Sequence, residues 1–207
     1  LRRRAEEALQ ESEERLRRAA EAAGFGTYDA DLADDRLYWS PQMKRILGLP
    51  SDAPEQAPGT LPGFAHPDDA EHVRQLIWAA YDRAGDGQVE DEHRIVRPDG
   101  SVRWVAVKGQ VHFTGTATDR RPIRSTGIIQ DVTSRKETER ELQRERELLQ
   151  TIYDAIPVML VVYDPQIEEV TFNKHVVRVT GWSQQDIARA NIMDLVYPDP
   201  AYRREVA

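Results

Sequence analysis

Sliding the 207-residue chain against itself by 133 residues brings it onto its own second part. Leu9 falls on Leu142, Glu14 on Glu147, Leu16 on Leu149, Asp31 on Asp164, Arg45 on Arg178 and Gly48 on Gly181. Similar chemistry lies between these positions: Leu37 on Val170, Trp39 on Phe172, Ser40 on Asn173 and Leu49 on Trp182. With a loop two residues shorter, His66-Pro67-Asp68-Asp69 then falls on Tyr197-Pro198-Asp199-Pro200. Identity is low, but the hydrophobic positions, the glycines and the aspartates agree together. A chain of this kind repeats one structural unit, and any fold assigned to it must serve twice.

Each copy opens on a helix. In the first, Ala5, Leu9, Ser12, Leu16, Ala19 and Ala23 recur at spacings of four and three, a heptad seam. In the second, the seam runs Leu142, Glu145, Leu149, Ile152, Ile156. Glu and Arg occupy outer positions, as with Glu11 and Arg15 at i,i+4. Small and polar seam residues allow a solvated helix as well as a weak zipper. Recurrence before both copies favours pairing of two chains, with Leu9, Leu16, Leu142 and Leu149 as the dimer seam.

After Gly24 the period changes. Residues 27–32 and 36–39 read as two short strands around Asp34-Asp35. Ser40-Pro41 starts a helix that Gly48 stops, and the Pro- and Ala-rich stretch 51–63 reads as loop. Asp68 or Asp69 is expected to cap a helix whose apolar face is Val73, Leu76, Ile77, Ala80 and Tyr81. Three antiparallel strands follow, at 89–97, 102–113 and 123–132, the first two joined by Pro98-Asp99-Gly100 with a positive-φ glycine. The middle strand puts Val105, Val107, Val111 and Phe113 on one face and Val102, Trp104 and Ala106 on the other. Both faces therefore need cover: the internal helices on one side, the N-terminal helix on the other.

This order of elements resembles the PAS fold. His66-Pro67-Asp68-Asp69 before the long helix is similar to a motif of PAS domains, and Glu92-His93-Arg94 through Arg97-Pro98-Asp99-Gly100-Ser101-Val102-Arg103-Trp104 resembles the hairpin of a large bacterial-sensor subgroup. Gly127-Ile128-Ile129-Gln130-Asp131-Val132-Thr133 resembles the strand end that closes such domains. Asp154-Ala155-Ile156-Pro157 and Thr180-Gly181-Trp182-Ser183 are PAS-like in the second copy.

The resemblance implies an α+β fold: a five-stranded antiparallel sheet with helices on one face, flanked by amphipathic coiled-coil helices. Residues 1–24 would be the N-terminal helix, 25–133 a complete PAS domain, 134–153 a linker helix, and 154–207 the N-terminal half of a second PAS domain. An isolated half-sheet buries little core, so residues 151–207 are expected to pack poorly. In the family, Asp131 and Thr133 would bond the neighbouring strand and a basic partner, tying the sheet to the outgoing helix. Helix capping by Thr133 or Ser134 with Glu137 is the simpler alternative.

Composition narrows the function. A net charge of −8 argues against nucleic acid as a partner. The absence of cysteine excludes disulfides, thiolate metal sites and a cysteinyl-flavin adduct. Leu1-Arg2-Arg3-Arg4 is followed by charge, and the longest apolar run, residues 156–163, is about half of a bilayer span, so no membrane contact is expected within this chain. Lacking an initiator Met, the chain reads as an internal piece of a cytoplasmic region whose full-length protein has room for a membrane anchor elsewhere.

No histidine lies in a kinase phospho-acceptor box, no carboxylate–histidine set has metal spacing, and Walker, Gly-x-Ser-x-Gly and cyclase signatures are missing. No catalytic or metal residue is therefore assigned. Gly24-Phe25-Gly26 is a helix stop, and Asp34-Asp35 and Asp68-Asp69 are turn and cap residues rather than acid–base pairs. His72 stands where haem-binding PAS domains present an axial ligand. Its place beside Glu71 in the first helical turn reads as an exposed histidine, so haem is disfavoured, and no residue argues for non-covalent flavin.

Trp39, Met43, Trp78 and Trp104 are candidates to line a small-molecule pocket, with Arg94 and Gln130 to orient a ligand; a filled core is the alternative. Trp78 and Trp104 are both expected to be largely buried. The reading is a PAS sensory module that relays a signal through helical linkers to an output domain of the same protein, a histidine kinase of a two-component system. The alternatives are the input module of a cyclic-dinucleotide synthase or hydrolase, and a dimerisation scaffold without ligand.

Overall fold

In chain order, helix α1 (Arg2–Ala22) leads into strands β1 (Phe25–Asp31) and β2 (Arg36–Trp39) and helix α2 (Pro41–Leu47). Helix α3 (Ala70–Tyr81), strands β3 (Gln88–Val96), β4 (Val102–Thr114) and β5 (Arg121–Asp131) and helix α4 (Thr133–Ala155) follow. A second hairpin, β6 (Val161–Asp164) and β7 (Glu169–Phe172), and helix α5 (Lys174–Thr180) complete the order. This is a computed structural model that describes residues 2–54, 59–116, 119–164, 166, 169–183 and 199. The chain divides into two units, residues 1–137 and 138–207.

The first unit is a five-stranded antiparallel sheet in the order β2-β1-β5-β4-β3. The β1–β2 turn forms because the Asp31 carboxylate accepts the N–H groups of Ala33 (3.0 Å) and Asp34 (3.1 Å), while Asp35 takes a left-handed φ of 53°. At its end the Ser40 hydroxyl accepts both the Met43 N–H (3.2 Å) and the Thr27 N–H (2.9 Å). One side chain thus caps α2 and ties it to β1. Pro41 supplies the first helical residue and Gly48, at φ 72°, the stop. Gly26 marks where α2 crosses β1: a Cβ there would lie 2.6 Å from the Met43 Cα.

Register fixes the faces. Tyr28 pairs with Gly127, Ala30 with Ser125, His93 with Val105 and Val107 with Ile129, and these side chains share the inner face. Against them pack Met43, Ile46 and Leu47 of α2 and Ala80 of α3, giving one core with Ile95, Val105, Val111 and Ile129 almost fully buried. Each such side chain contributes roughly 1.5–3 kcal/mol relative to its exposed state. The outer face carries Trp104, Ala106, Ile128 and Gln130. On α1 the described side chains from Glu14 to Ala19 are all exposed, and Arg17 and Arg18 pair with Glu21 and Glu14 on α1 itself; the side chains of residues 1–10, on which the expected cover of this face also depends, lie outside the described residues.

The edge strand β3 is sealed by the motif ahead of α3. His66 donates its N–H to the Arg94 carbonyl (2.8 Å), and Ala65 bridges Ile95. Asp69 stands at the helix N-cap position but makes no capping bond there. Its carboxylate instead accepts the Arg94 backbone N–H (2.9 Å), Nε–H (2.9 Å) and terminal N–H (2.6 Å). A charged, forked pair outcompetes a neutral cap, and the expected capping role is corrected accordingly.

The second unit repeats the opening elements. Asn173 caps α5 as Ser40 caps α2, and Gly181 ends it at φ 77° as Gly48 ends α2 at 72°. Asn173 is fully buried; its Nδ2 donates to the carbonyls of Tyr153, Ile156 and Val158, and its Oδ1 accepts from Leu160. The expected poor packing of residues 151–207 concerns largely residues 184–198 and 200–207, which lie outside the described residues, as does the counterpart of His66-Pro67-Asp68-Asp69 apart from Asp199. Among the described residues no helix is long and apolar enough to cross a membrane.

The Arg94 guanidinium, bonded to Asp69, holds that carboxyl down at about 2. Because the folded-state value is depressed, the stabilisation is present above the ordinary carboxyl range and is lost as pH falls toward 2. Asp69→Asn should cost about 1–3 kcal/mol near neutrality. In urea titrations the gap between the two proteins should close between about pH 4 and pH 2; a pH-independent gap would contradict this role.

Candidate functional site

Between the inner face of the sheet and α3 lies a cavity of about 390 Å³. Its apolar wall includes Leu37, Leu61, Val73, Leu76, Val89 and Val107. Polar groups stand on the sheet side. Tyr28 and Ser125 share a hydroxyl–hydroxyl hydrogen bond of 3.5 Å, and burial pushes the Tyr28 phenol up. Glycines make room for that ring: a Cβ on Gly127 would lie 2.6 Å from Tyr28 Cε1, and one on Gly109 would meet the Tyr28 hydroxyl. From β3, Asp91 and His93 face inward, with His93 Nδ1 3.0 Å from one Asp91 oxygen. The other oxygen lies 3.1 Å from Nε2 of His72, on the exposed side of α3. Burial pulls the His93 imidazole below its ordinary value, against the opposing pull of Asp91.

Of the six residues proposed from sequence, Trp39 and Trp78 line this cavity and the other four do not. Trp39 is 5% exposed, and its indole N–H is buried without a hydrogen-bond partner among the described residues. Trp78 is a correction: it is 76% exposed and stands at the rim, because it is off the α3 stripe that buries Val73 and Ala80. Met43 is fully buried, but in the α2–sheet core. Arg94, Trp104 and Gln130 belong to the outer face: Arg94 pairs with Trp104, and Gln130 with Ala106. Trp104 is only partly buried there, with the Arg94 guanidinium 5.9 Å and the Lys136 ammonium 5.4 Å from its ring. Sequence reasoning missed Tyr28, Asp91, His93 and Ser125. The signal was strand parity: Asp91 and His93 share the face of Val89 and Ile95.

A second constellation sits where β5 hands over to α4. Trp104 donates its backbone N–H to the Thr133 hydroxyl (3.0 Å), and its carbonyl accepts from Val132 (2.9 Å). Asp131 accepts from the Thr133 N–H (3.0 Å) and hydroxyl (2.6 Å), and from the Arg97 guanidinium (3.4 Å). Arg97 also donates its Nε–H to the Ile46 carbonyl at the end of α2 (2.8 Å). Glu92 holds the first turn of α4 through Arg135 and Lys136, the latter at 2.7 Å, and these two cations hold its carboxyl below the usual range.

Among the described residues no group of three or more His, Asp or Glu is placed to hold a metal ion. The cavity has room for a small organic molecule, but its lining does not fit haem or a flavin nucleotide. No lysine or arginine among the described residues lines it to meet propionates or a phosphate, and His72 lies outside the lining.

The comparisons agree with this architecture. A PAS fold model matches residues 36–129, and a PAS domain model matches residues 147–206. The chain belongs to the PAS domain family. It is 27% identical over 187 residues to the sensor protein FixL of Bradyrhizobium diazoefficiens, covering 90% of this chain and 36% of that protein. It is 23% identical over 196 residues to the probable diguanylate cyclase DgcE of Escherichia coli, covering 94% and 17%. A crystal structure of a sensory box histidine kinase/response regulator from Burkholderia thailandensis superposes with a TM-score of 0.55 at 29% identity, covering 66% of this chain and 98% of that one. The chain thus spans about a third or less of the length of these two curated relatives, and it is homologous to PAS sensor regions of histidine kinases.

Proposed function

We propose that the chain is the sensory relay of a larger cytoplasmic signalling protein, in which the state of the first unit's cavity sets the position of α4. The observation that carries this is the junction at Trp104, Asp131 and Thr133. A route of contacts joins it to the cavity: Trp39 lines the cavity, Ser40 caps α2, Arg97 takes the end of α2, and Asp131 takes Arg97. Beyond that junction, described side chains from Glu137 to Ile152 are exposed all round. A helix held to the sheet over its first turn is an element that two states can share.

The output is a histidine kinase, a reading supported by the likeness to FixL and to the Burkholderia sensory box kinase. The match to DgcE supports a diguanylate cyclase as the second reading. A His-box helix with an ATPase domain in the full-length protein fits the first; a cyclase motif fits the second.

The proposal includes a parallel homodimer through the helical linkers. Leu16, Leu142 and Leu149 are 68%, 47% and 58% exposed within one chain; the Leu9 side chain lies outside the described residues. A helix polar almost all round is marginal alone, so a partner helix would stabilise both. Leu16→Glu should move the sedimenting species towards monomer while the first unit's melting is unchanged. A wild-type chain that sediments as a monomer at high micromolar concentration would refute the pairing.

For the relay itself, Asp131→Ala removes charge-assisted bonds of roughly 1–3 kcal/mol, comparable to typical allosteric coupling. In the full-length protein the domain should stay folded while output becomes locked or insensitive to signal, whereas Asp119→Ala should switch normally. Normal switching in both would reduce α4 to a spacer.

A further inference from the structure

Resting on the reading of the cavity as a sensing site, we propose that its ligand is a small organic amine: an aromatic or apolar body bearing one protonated nitrogen. The wall chemistry carries this. Asp91, its side chain 15% exposed, is the sole carboxylate among the described lining residues, and no lysine or arginine stands among them. Arg94, the neighbouring base on β3, pairs with Asp69 and Asp68 and shares the outer face with Trp104. An anion entering here would lose its water beside a carboxylate with no lysine or arginine to meet it.

Asp91 keeps its capacity for a cation. A carboxylate offers about four lone-pair sites, and the two histidines engage one oxygen each. His93 stands beside Asp91 on the same wall, its Nδ1 3.0 Å from one carboxylate oxygen. An ammonium entering the cavity therefore meets the Asp91 carboxylate. The rings of Tyr28 and Tyr81, also in the lining, add faces that attract a cation.

The rest of the wall is apolar, with Leu37, Leu61, Val73, Leu76 and Val89 in the lining, and a volume of about 390 Å³ suits a single molecule with an apolar body.

The test is calorimetric titration of the chain with three probes of one shape and different charge: tyramine, 3-(4-hydroxyphenyl)propionamide and 3-(4-hydroxyphenyl)propionate. Tyramine should bind at least about tenfold more tightly than the carboxylate. Asp91→Asn, which keeps the shape and removes the charge, should level the series. A thermal melt establishes that the variant folds, and the wild-type series stands without it. Preference for the carboxylate, or equal binding of all three, overturns the amine class and leaves the cavity as a ligand site. Binding of none at millimolar concentration overturns both.

Discussion

The backbone of Trp104 holds the end of the sheet and the start of α4 at once. Its N–H goes to the Thr133 hydroxyl and its carbonyl receives the Val132 N–H, so β4 continues its pairing one step past the last residue of β5. Thr133 is 8% exposed, and the bonds that fix it are shielded from competing water. Arg97 and Asp131 lie beside it, and Glu92 clamps the following turn. Described side chains from Glu137 to Ile152 are exposed, so the bonds around Thr133 are what fix the first turn of α4 to the sheet.

The sheet that makes this junction depends on two economies of space. Glycines at 109 and 127 let the Tyr28 ring lie flat against the strands, and Gly26 lets α2 approach β1 at backbone distance. The core is then closed around α2, with Met43 and Leu47 completely buried, while α3 stands off far enough to leave the cavity. A filled core and an open cavity coexist on the same inner face, with Leu37, Trp39, Val89 and Val107 belonging to both. The Asp69–Arg94 pair and the His66 N–H keep the edge beside that cavity from fraying.

Much of this was legible in the residues. The 133-residue repeat put Ser40 on Asn173 and Gly48 on Gly181, and both pairs cap and stop their helices with matching geometry. Such local devices are readable because a cap or a positive-φ glycine is settled by its nearest neighbours. The site was read less well, and for a definable reason. Arg94 was chosen over its neighbour His93, and Gln130 over its neighbour Ile129. On a strand, one residue of parity exchanges the interior for the opposite face. Trp78 and Trp104 are expected from sequence to be largely buried, Trp104 on the face opposite Val105 and Val107, yet Trp78 lies off the α3 stripe and Trp104 is only partly covered. Burial of a large ring is decided by which face needs cover, and that information is tertiary.

The account turns on whether the junction can open without the sheet. Thr133→Val keeps the side chain's shape while removing the hydroxyl that accepts from Trp104 and donates to Asp131. Native-state amide hydrogen exchange, read residue by residue, tests it most directly. The Trp104 amide and the first-turn amides of α4 should exchange roughly tenfold or more faster than in the wild type, with Val105, Val107 and Val111 unchanged. Unchanged exchange at Trp104, or an equal acceleration through all of β4, would contradict a separable hinge at the end of the sheet.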